Sequence, residues 1–120
     1  VNRQRGAGTR MLLDQELRLL DIDPSTVNGY EREEPTHLAV GAAIAAGRAD
    51  CGLGILAAAR ALGLDFVPVA REPYDLVVDI SSLQDPLLTP LWQLLDSSEF
   101  RAAVERLGGY STEETGRRIR

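Results

Sequence analysis

Short helical patterns alternate with short apolar or extended runs along this chain, and glycine, proline or aspartate punctuates almost every junction. That alternation constrains the fold more than any other feature. The spacing predicts a first helix from about Thr9 to Leu20, with Leu13, Leu17 and Leu20 on one face. Asp21, Asp23 and Pro24 end it, and Val27 to Glu31 reads as a short strand. Pro35 follows two glutamates and opens a second, alanine-rich helix that stops at Gly47. Ala49 to Ile55 reads as a short buried strand. Leu56 to Leu62 reads as a third helix closed by Gly63. Asp65 to Ala70 and Tyr74 to Ile80 read as two further strands. Asp85-Pro86 and Thr89-Pro90 introduce a fourth helix over Leu91 to Leu95. Ser97 and Ser98 cap a fifth, Glu99 to Leu107, stopped by Gly108-Gly109. Val1 to Gln4 is the end of a strand or a hinge entering the domain. Elements of this kind imply an α/β fold, a layered, mostly parallel sheet with flanking helices. The domain is expected over residues 1–110, with a polar, frayed tail over 111–120.

The length of 120 residues suits one core. The formal net charge of −5 argues against a nucleic-acid surface. All 13 basic residues are arginine, whose planar fork matches oxyanions, although genome composition gives the same bias. Cys51 is the single cysteine, so neither an intrachain disulfide nor a thiolate metal cluster is available, and a small buried hydrophobe is the reading for it. No run approaches the ~20 apolar residues of a membrane span. The first ten residues are polar and Val1 is not a start methionine, so no signal peptide is read and the chain is expected to be a piece of a longer protein or a processed one.

Arg5-Gly6-Ala7-Gly8-Thr9-Arg10 sits directly before the first helix. A helix N-terminus carries unpaired N–H groups and partial positive charge, so the stretch suits a small oxyanion. It is not a Walker A loop, because no Gly-Lys-Ser/Thr follows, and it lacks the third glycine of a dinucleotide fingerprint. In the binding reading Gly8 gives its amide, Thr9 its hydroxyl and Arg10 its guanidinium. In the plain reading Thr9 is an N-cap and Arg10 pairs with Asp14 at the next turn. His37, the only histidine, either caps or packs, or it serves as a donor to an oxyanion or a pH-sensitive gate. Tyr30 and Tyr74 either present hydroxyls to a cleft or pack. Glu33-Glu34 reads as a solvated pair near a helix start. Asp50 reads as a turn or cap residue. Trp92 with Leu91, Leu94 and Leu95 has the spacing of a core or docking face, and an exposed face of that kind supports a homodimer. No triad, Cys–His pair or metal-ligand set is recognisable, so no enzyme, metal or cofactor is expected.

Several segments together carry a resemblance. They are Asn2-Arg3-Gln4-Arg5-Gly6-Ala7-Gly8-Thr9-Arg10, then Gly29-Tyr30 with Glu33 or Glu34 and His37. Gly47-Arg48-Ala49-Asp50-Cys51-Gly52-Leu53-Gly54-Ile55, Phe66-Val67-Pro68-Val69 and Glu72-Pro73-Tyr74-Asp75-Leu76 follow. In this order they resemble the periplasmic-binding-protein-like domain that accompanies helix-turn-helix regulators and molybdopterin-biosynthesis proteins, a type II solute-binding fold similar to molybdate-binding proteins. The chain resembles the second lobe of that domain plus its C-terminal helices. Ala7 departs from the Gly-Ser-Gly-Thr form of similar proteins and lacks its hydroxyl donor.

The resemblance implies a first lobe before Val1 and a ligand held between lobes. It implies a module that binds or senses a small anion such as molybdate or tungstate, attached to a helix-turn-helix or enzymatic domain. Gly8, Thr9, Arg10, Tyr30, His37 and Tyr74 are its candidate ligand residues. The fused relatives imply a cytoplasmic setting, with no direct nucleic-acid or membrane contact by this segment. An accessory domain of a molybdopterin-biosynthesis enzyme that binds a pterin intermediate is the alternative, and a dimerisation module without ligand is another.

Overall fold

Two parallel strands begin the architecture: β1 (Asn2–Arg3) lies beside β2 (Glu33–Glu34), with Asn2 opposite Glu33 and Arg3 opposite Glu34. The computed structural model describes residues 1–119; Arg120, the last residue of the polar tail, lies outside them. The chain divides into two units, Val1–Phe66 and Val67–Arg120, each described by itself.

In the first unit each strand runs into a helix. β1 leads through a turn to α1 (Gly8–Leu19), and β2 leads to α2 (His37–Ala45), with α3 (Leu56–Ala61) packed on α2. Parallel strands followed by helices place both helix heads at the carboxyl end of the sheet, where open α/β sheets hold their ligands. Thr36 caps α2, its Oγ1 accepting the Ala39 amide at 3.0 Å. Past the end of α2, Gly47 adopts φ 66° and the Arg48 amide donates back to Ala43 O at 2.9 Å. α1 ends in the same way on Asp21, at φ 54°, with the Ile22 amide on Leu17 O at 2.8 Å.

The core of this unit is small. Leu17, Val40, Ala43, Ala58 and Ala59 are its buried apolar residues. Small side chains let α2 and α3 approach closely. Gly52 permits another close approach: a Cβ there would stand 2.7 Å from Val40 Cγ1 and 2.9 Å from Val1 O. Asn2 is 1% exposed, and each polar atom of its side chain has a partner, Nδ2 donating to Tyr30 O and Oδ1 accepting the Arg3 amide.

The second unit holds α4 (Thr89–Asp96) packed on α5 (Ser98–Leu107). Ser97 caps α5 through the Phe100 amide at 3.1 Å. The segment after α5 is pinned rather than frayed. Arg101 donates to Thr112 O and Thr115 O, and Thr112 Oγ1 donates to Glu105 Oε1.

The helices expected from the sequence are present, and the strand end expected at Val1 to Gln4 is β1, but the other expected strands are not formed among the described residues. Val27–Glu31 is a run of turns, because Asp23-Pro24-Ser25 and Asn28-Gly29 impose turn geometry that outweighs the β preference of Val27 and Tyr30. Ala49–Ile55 has no strand partner; Val1 holds it instead, its amino group donating to Cys51 O at 3.0 Å. The segments 65–70 and 74–80 also lack ladders among the described residues, and a strand exists only with a partner to hydrogen-bond. The buried stripe of α1 differs as well. Its buried residues are Arg10 and Leu17, with Leu13 and Asp14 partly buried between them, while Leu20 is exposed. Cys51 is exposed, not buried.

Gly52→Ala is expected to destabilise the protein by about 1–3 kcal/mol through overpacking against Val1 and Val40; an unchanged denaturant midpoint contradicts this. Hydrogen bonding supplies a pH dependence too. The Ser25 amide holds the Asp23 carboxyl below its ordinary pKa, and the Ser81 hydroxyl and amide do the same for Asp79. A depressed folded pKa contributes stability above the unfolded value, and the contribution is lost as pH falls through the folded one. Asp79→Ala is therefore expected to flatten the loss of stability between about pH 5 and pH 2, read by denaturant melts. Parallel curves for variant and parent oppose it.

Candidate functional site

The head of α1 is the best-defined polar site of the first unit. Gly6, at φ 85°, turns the chain out of β1, a conformation that favours glycine. Ala7 occupies the N-cap position and supplies no side-chain acceptor. Ala7 O accepts the amides of Arg10 and Met11, and Gln4 O accepts that of Ala7. The amides of Gly6, Gly8 and Thr9 have no acceptor among the described residues. Thr9 lies in the first turn, not at the cap, and its hydroxyl makes no hydrogen bond there. The head of this 12-residue helix thus offers several N–H donors and the positive end of a dipole.

Arg10 has a different task. It is 5% exposed, and its Nη1 donates to Glu33 Oε1 at 3.1 Å while Nε stands 3.9 Å from Asp14 Oδ1. Its guanidinium carbon lies 4.2 Å from the centre of the Tyr30 ring, and Tyr30 donates its hydroxyl proton to Asp14 Oδ1 at 2.7 Å. Burial depresses the basicity of the guanidinium, but Tyr30, Asp14 and Glu33 outweigh it, and the pKa sits above its ordinary value. The group is a permanent cation whose charge is matched inside the protein by Glu33 and Asp14. Arg5 stands over the same carboxylates, 3.0 Å from Glu31 and 3.3 Å from Glu33. Its hydrogen bond to Glu31 is the chief cause of its raised pKa.

Glu33 therefore joins β2 to the head of α1, because its other oxygen accepts the Arg5 amide at 3.3 Å. The sequence reading of Glu33-Glu34 as a solvated pair misses this. The register of β1 against β2 carries the contact, and no local pattern encodes it. Asp14 is missed as the partner of Tyr30 for the same reason. An open groove of about 300 Å³ runs along this network, lined by Arg5, Gly6, Arg10, Asp14, Tyr30 and Glu31. Beyond Tyr30 and Asp14 lies a hollow of about 440 Å³ bordered by Arg18, Asp21 and Asp23.

Of the six sequence candidates, Gly8, Thr9, Arg10 and Tyr30 gather around α1 and its groove. His37 begins α2 at the same end of the sheet, and Gly54 lies beside it, a Cβ there standing 4.0 Å from Nδ1. Thr36 rather than His37 caps α2. Asp50 is exposed. Tyr74 belongs to the second unit and is 100% exposed. Among the described residues no group of His, Cys, Asp and Glu is placed to hold a metal ion, and no helix is long and apolar enough to cross a membrane.

Removing one partner of a buried ion pair strands the other charge. Glu33→Gln is expected to lower stability by about 1–3 kcal/mol, since Asp14 and Tyr30 still face Arg10. In a double-mutant cycle with Arg10→Met the two losses should fall short of additivity, with a coupling of about 1 kcal/mol or more. Additive losses in chemical denaturation contradict the pairing.

The comparisons with known proteins agree with one another. The chain is 37% identical to the uncharacterized protein YvgK of Bacillus subtilis (strain 168) over 119 residues, covering 99% of this chain and 38% of that protein. It is 38% identical over 112 residues to an uncharacterized protein in the 5′ region of a ferredoxin 2Fe-2S gene of Clostridium pasteurianum, covering 89% of this chain and 96% of that protein. The chain thus spans well under half of the Bacillus relative and nearly all of the Clostridium one. No solved structure matches it significantly. The family model for the PBP superfamily domain matches residues 1–96, from β1 through α4. With a match over most of its length and these relatives, the chain belongs to the PBP superfamily: it is a periplasmic-binding-protein-like domain, a binding fold built here of helices and a small parallel sheet.

Proposed function

We propose that this domain binds a small tetrahedral oxyanion of the molybdate or tungstate class, as a sensing or carrying module of a larger regulator or transport-related protein. One observation carries the reading: the amides of Gly6, Gly8 and Thr9 stand without acceptors at the uncapped head of α1, beside a free Thr9 hydroxyl. Such a head stabilises an anion by direct N–H donation and by the helix dipole. Glu33 would oppose an anion there, but Arg10 and Arg5 neutralise it in place. The role of Arg10 in binding is then indirect. It holds the turn and Tyr30 in position, while Gly8 and Thr9 touch the ligand. His37 lines the neighbouring helix head. The ligand sits between this lobe and a first lobe, in a layered α/β domain. Closure of the lobes reorients an attached helix-turn-helix or enzymatic domain in the cytoplasm. The domain itself performs no catalysis and contacts no nucleic acid.

A different observation favours a second reading. The groove carries the carboxylates of Asp14 and Glu31 against the guanidinium groups of Arg5 and Arg10. Carboxylates accept hydrogen bonds from an aminopyrimidine edge, so a pterin intermediate of molybdopterin biosynthesis fits that rim better than an anion does.

Calorimetry on the full-length protein separates the two. Molybdate or tungstate is expected to bind well ahead of sulfate, and Thr9→Ala is expected to weaken molybdate by about threefold to tenfold. Heat with a pterin and none with any oxyanion supports the second reading and sinks the first.

A further inference from the structure

Arg3 is the last residue of β1, and its guanidinium is unlike those of its neighbours. Its Nε and Nη1 are covered from solvent and make no hydrogen bond among the described residues. Glu34 is its register partner on β2, yet no ion pair joins the two side chains. Arg10 and Arg5, close by in sequence and structure, are both matched to carboxylates. The backbone around Arg3 is well satisfied: its amide donates to Asn2 Oδ1, and its carbonyl accepts Arg10 Nη1 at 3.4 Å. The strand is therefore fixed while the charged end of the side chain has no internal counter-charge.

A covered cation without an acceptor is costly and calls for a partner. Nη2 is not among the covered atoms, so a small ion can meet the guanidinium from that side. Its place in the fold says which kind. Arg3 lies at the carboxyl end of β1, where the chain turns toward the head of α1, and β2 turns beside it toward the head of α2. This is the sheet end at which α/β folds hold ligands. The charge is positive and the fork is planar, which selects an oxyanion able to accept two parallel N–H bonds.

We infer that Arg3 is a charge-bearing ligand residue for the oxyanion, supplying the cation that Arg10, paired with Glu33 and Asp14, does not. The inference rests on the oxyanion reading above and adds a residue to that site. A charge-assisted fork distinguishes the site from one built of amides alone, because it ties affinity to guanidinium geometry as well as to charge.

The test uses the full-length protein with Arg3→Met and Arg3→Lys, titrated with sodium molybdate in the calorimeter, and melting curves of each with and without molybdate. Arg3→Met is expected to weaken molybdate by about tenfold to a hundredfold. Arg3→Lys, which keeps the charge and loses the fork, should fall between it and the parent. Without molybdate, Arg3→Met should melt no lower than the parent, since it removes an uncompensated charge. Parent-like affinity in Arg3→Met overturns the assignment while the oxyanion reading stands. A clearly lower melting temperature of Arg3→Met without molybdate overturns it too, because Arg3 then serves the fold. Failure of the parent itself to bind molybdate, tungstate or sulfate overturns this inference together with the reading beneath it.

Discussion

The first unit depends on the buried guanidinium of Arg10. A charge with 5% exposure is tolerable only when paired, and Arg10 is surrounded by Glu33, Asp14 and the face of Tyr30. Each partner comes from a different place: Glu33 from β2, Asp14 from the next turn of α1, Tyr30 from the turn between them. The interaction therefore fixes helix, strand and connection together. A two-stranded sheet of two residues per strand has little stability of its own. With a core dominated by alanine and a few larger side chains, the ion pair and the buried Asn2 do much of the specifying.

What was legible in the sequence follows from this division of labour. The helices could be read because their signals are local: Thr36 and Ser97 cap, Gly47 and Gly108 stop, and alanine and leucine fill the turns between. Apart from the strand end at Val1 to Gln4, the strands could not, because pairing is not local. β2 is two glutamates, which no propensity scale would choose, and its existence rests on register with β1. Val27–Glu31 has better strand composition and folds as turns. The face of α1 was misjudged for a related reason. Period 3.6 counts leucines, and Arg10 reads as solvent-facing until its partners, distant in sequence, are in place. The gathering of the α1 and α2 heads at one sheet end follows the expected α/β logic, and the family resemblance pointed to it. The pairing of Arg10, the exposure of Cys51 and the covered guanidinium of Arg3 were beyond the sequence.

The same chemistry separates structural from binding charge. Arg5 and Arg10 face the carboxylates of Glu31, Glu33 and Asp14 within the unit, so these two cations are committed to internal partners. Donors left without acceptors, the amides of Gly6, Gly8 and Thr9 with the guanidinium of Arg3, then mark where an external anion is best accommodated. Substituting Ala for Ser at position 7 of the motif costs a hydroxyl donor and leaves those amides intact. The proposed binding chemistry is accordingly one of backbone and arginine donors, with Tyr30 held in place by Asp14 at its edge.

The most direct measurement is a molybdate titration of the isotopically labelled full-length protein, followed by amide NMR. The account predicts that the Gly6, Gly8 and Thr9 amide resonances shift together and saturate with one binding curve. The Arg10 guanidinium, whose Nη1 is hydrogen-bonded to Glu33 Oε1 and Arg3 O, should stay nearly still. Saturable shifts confined to other segments, or none at these three amides, would contradict it.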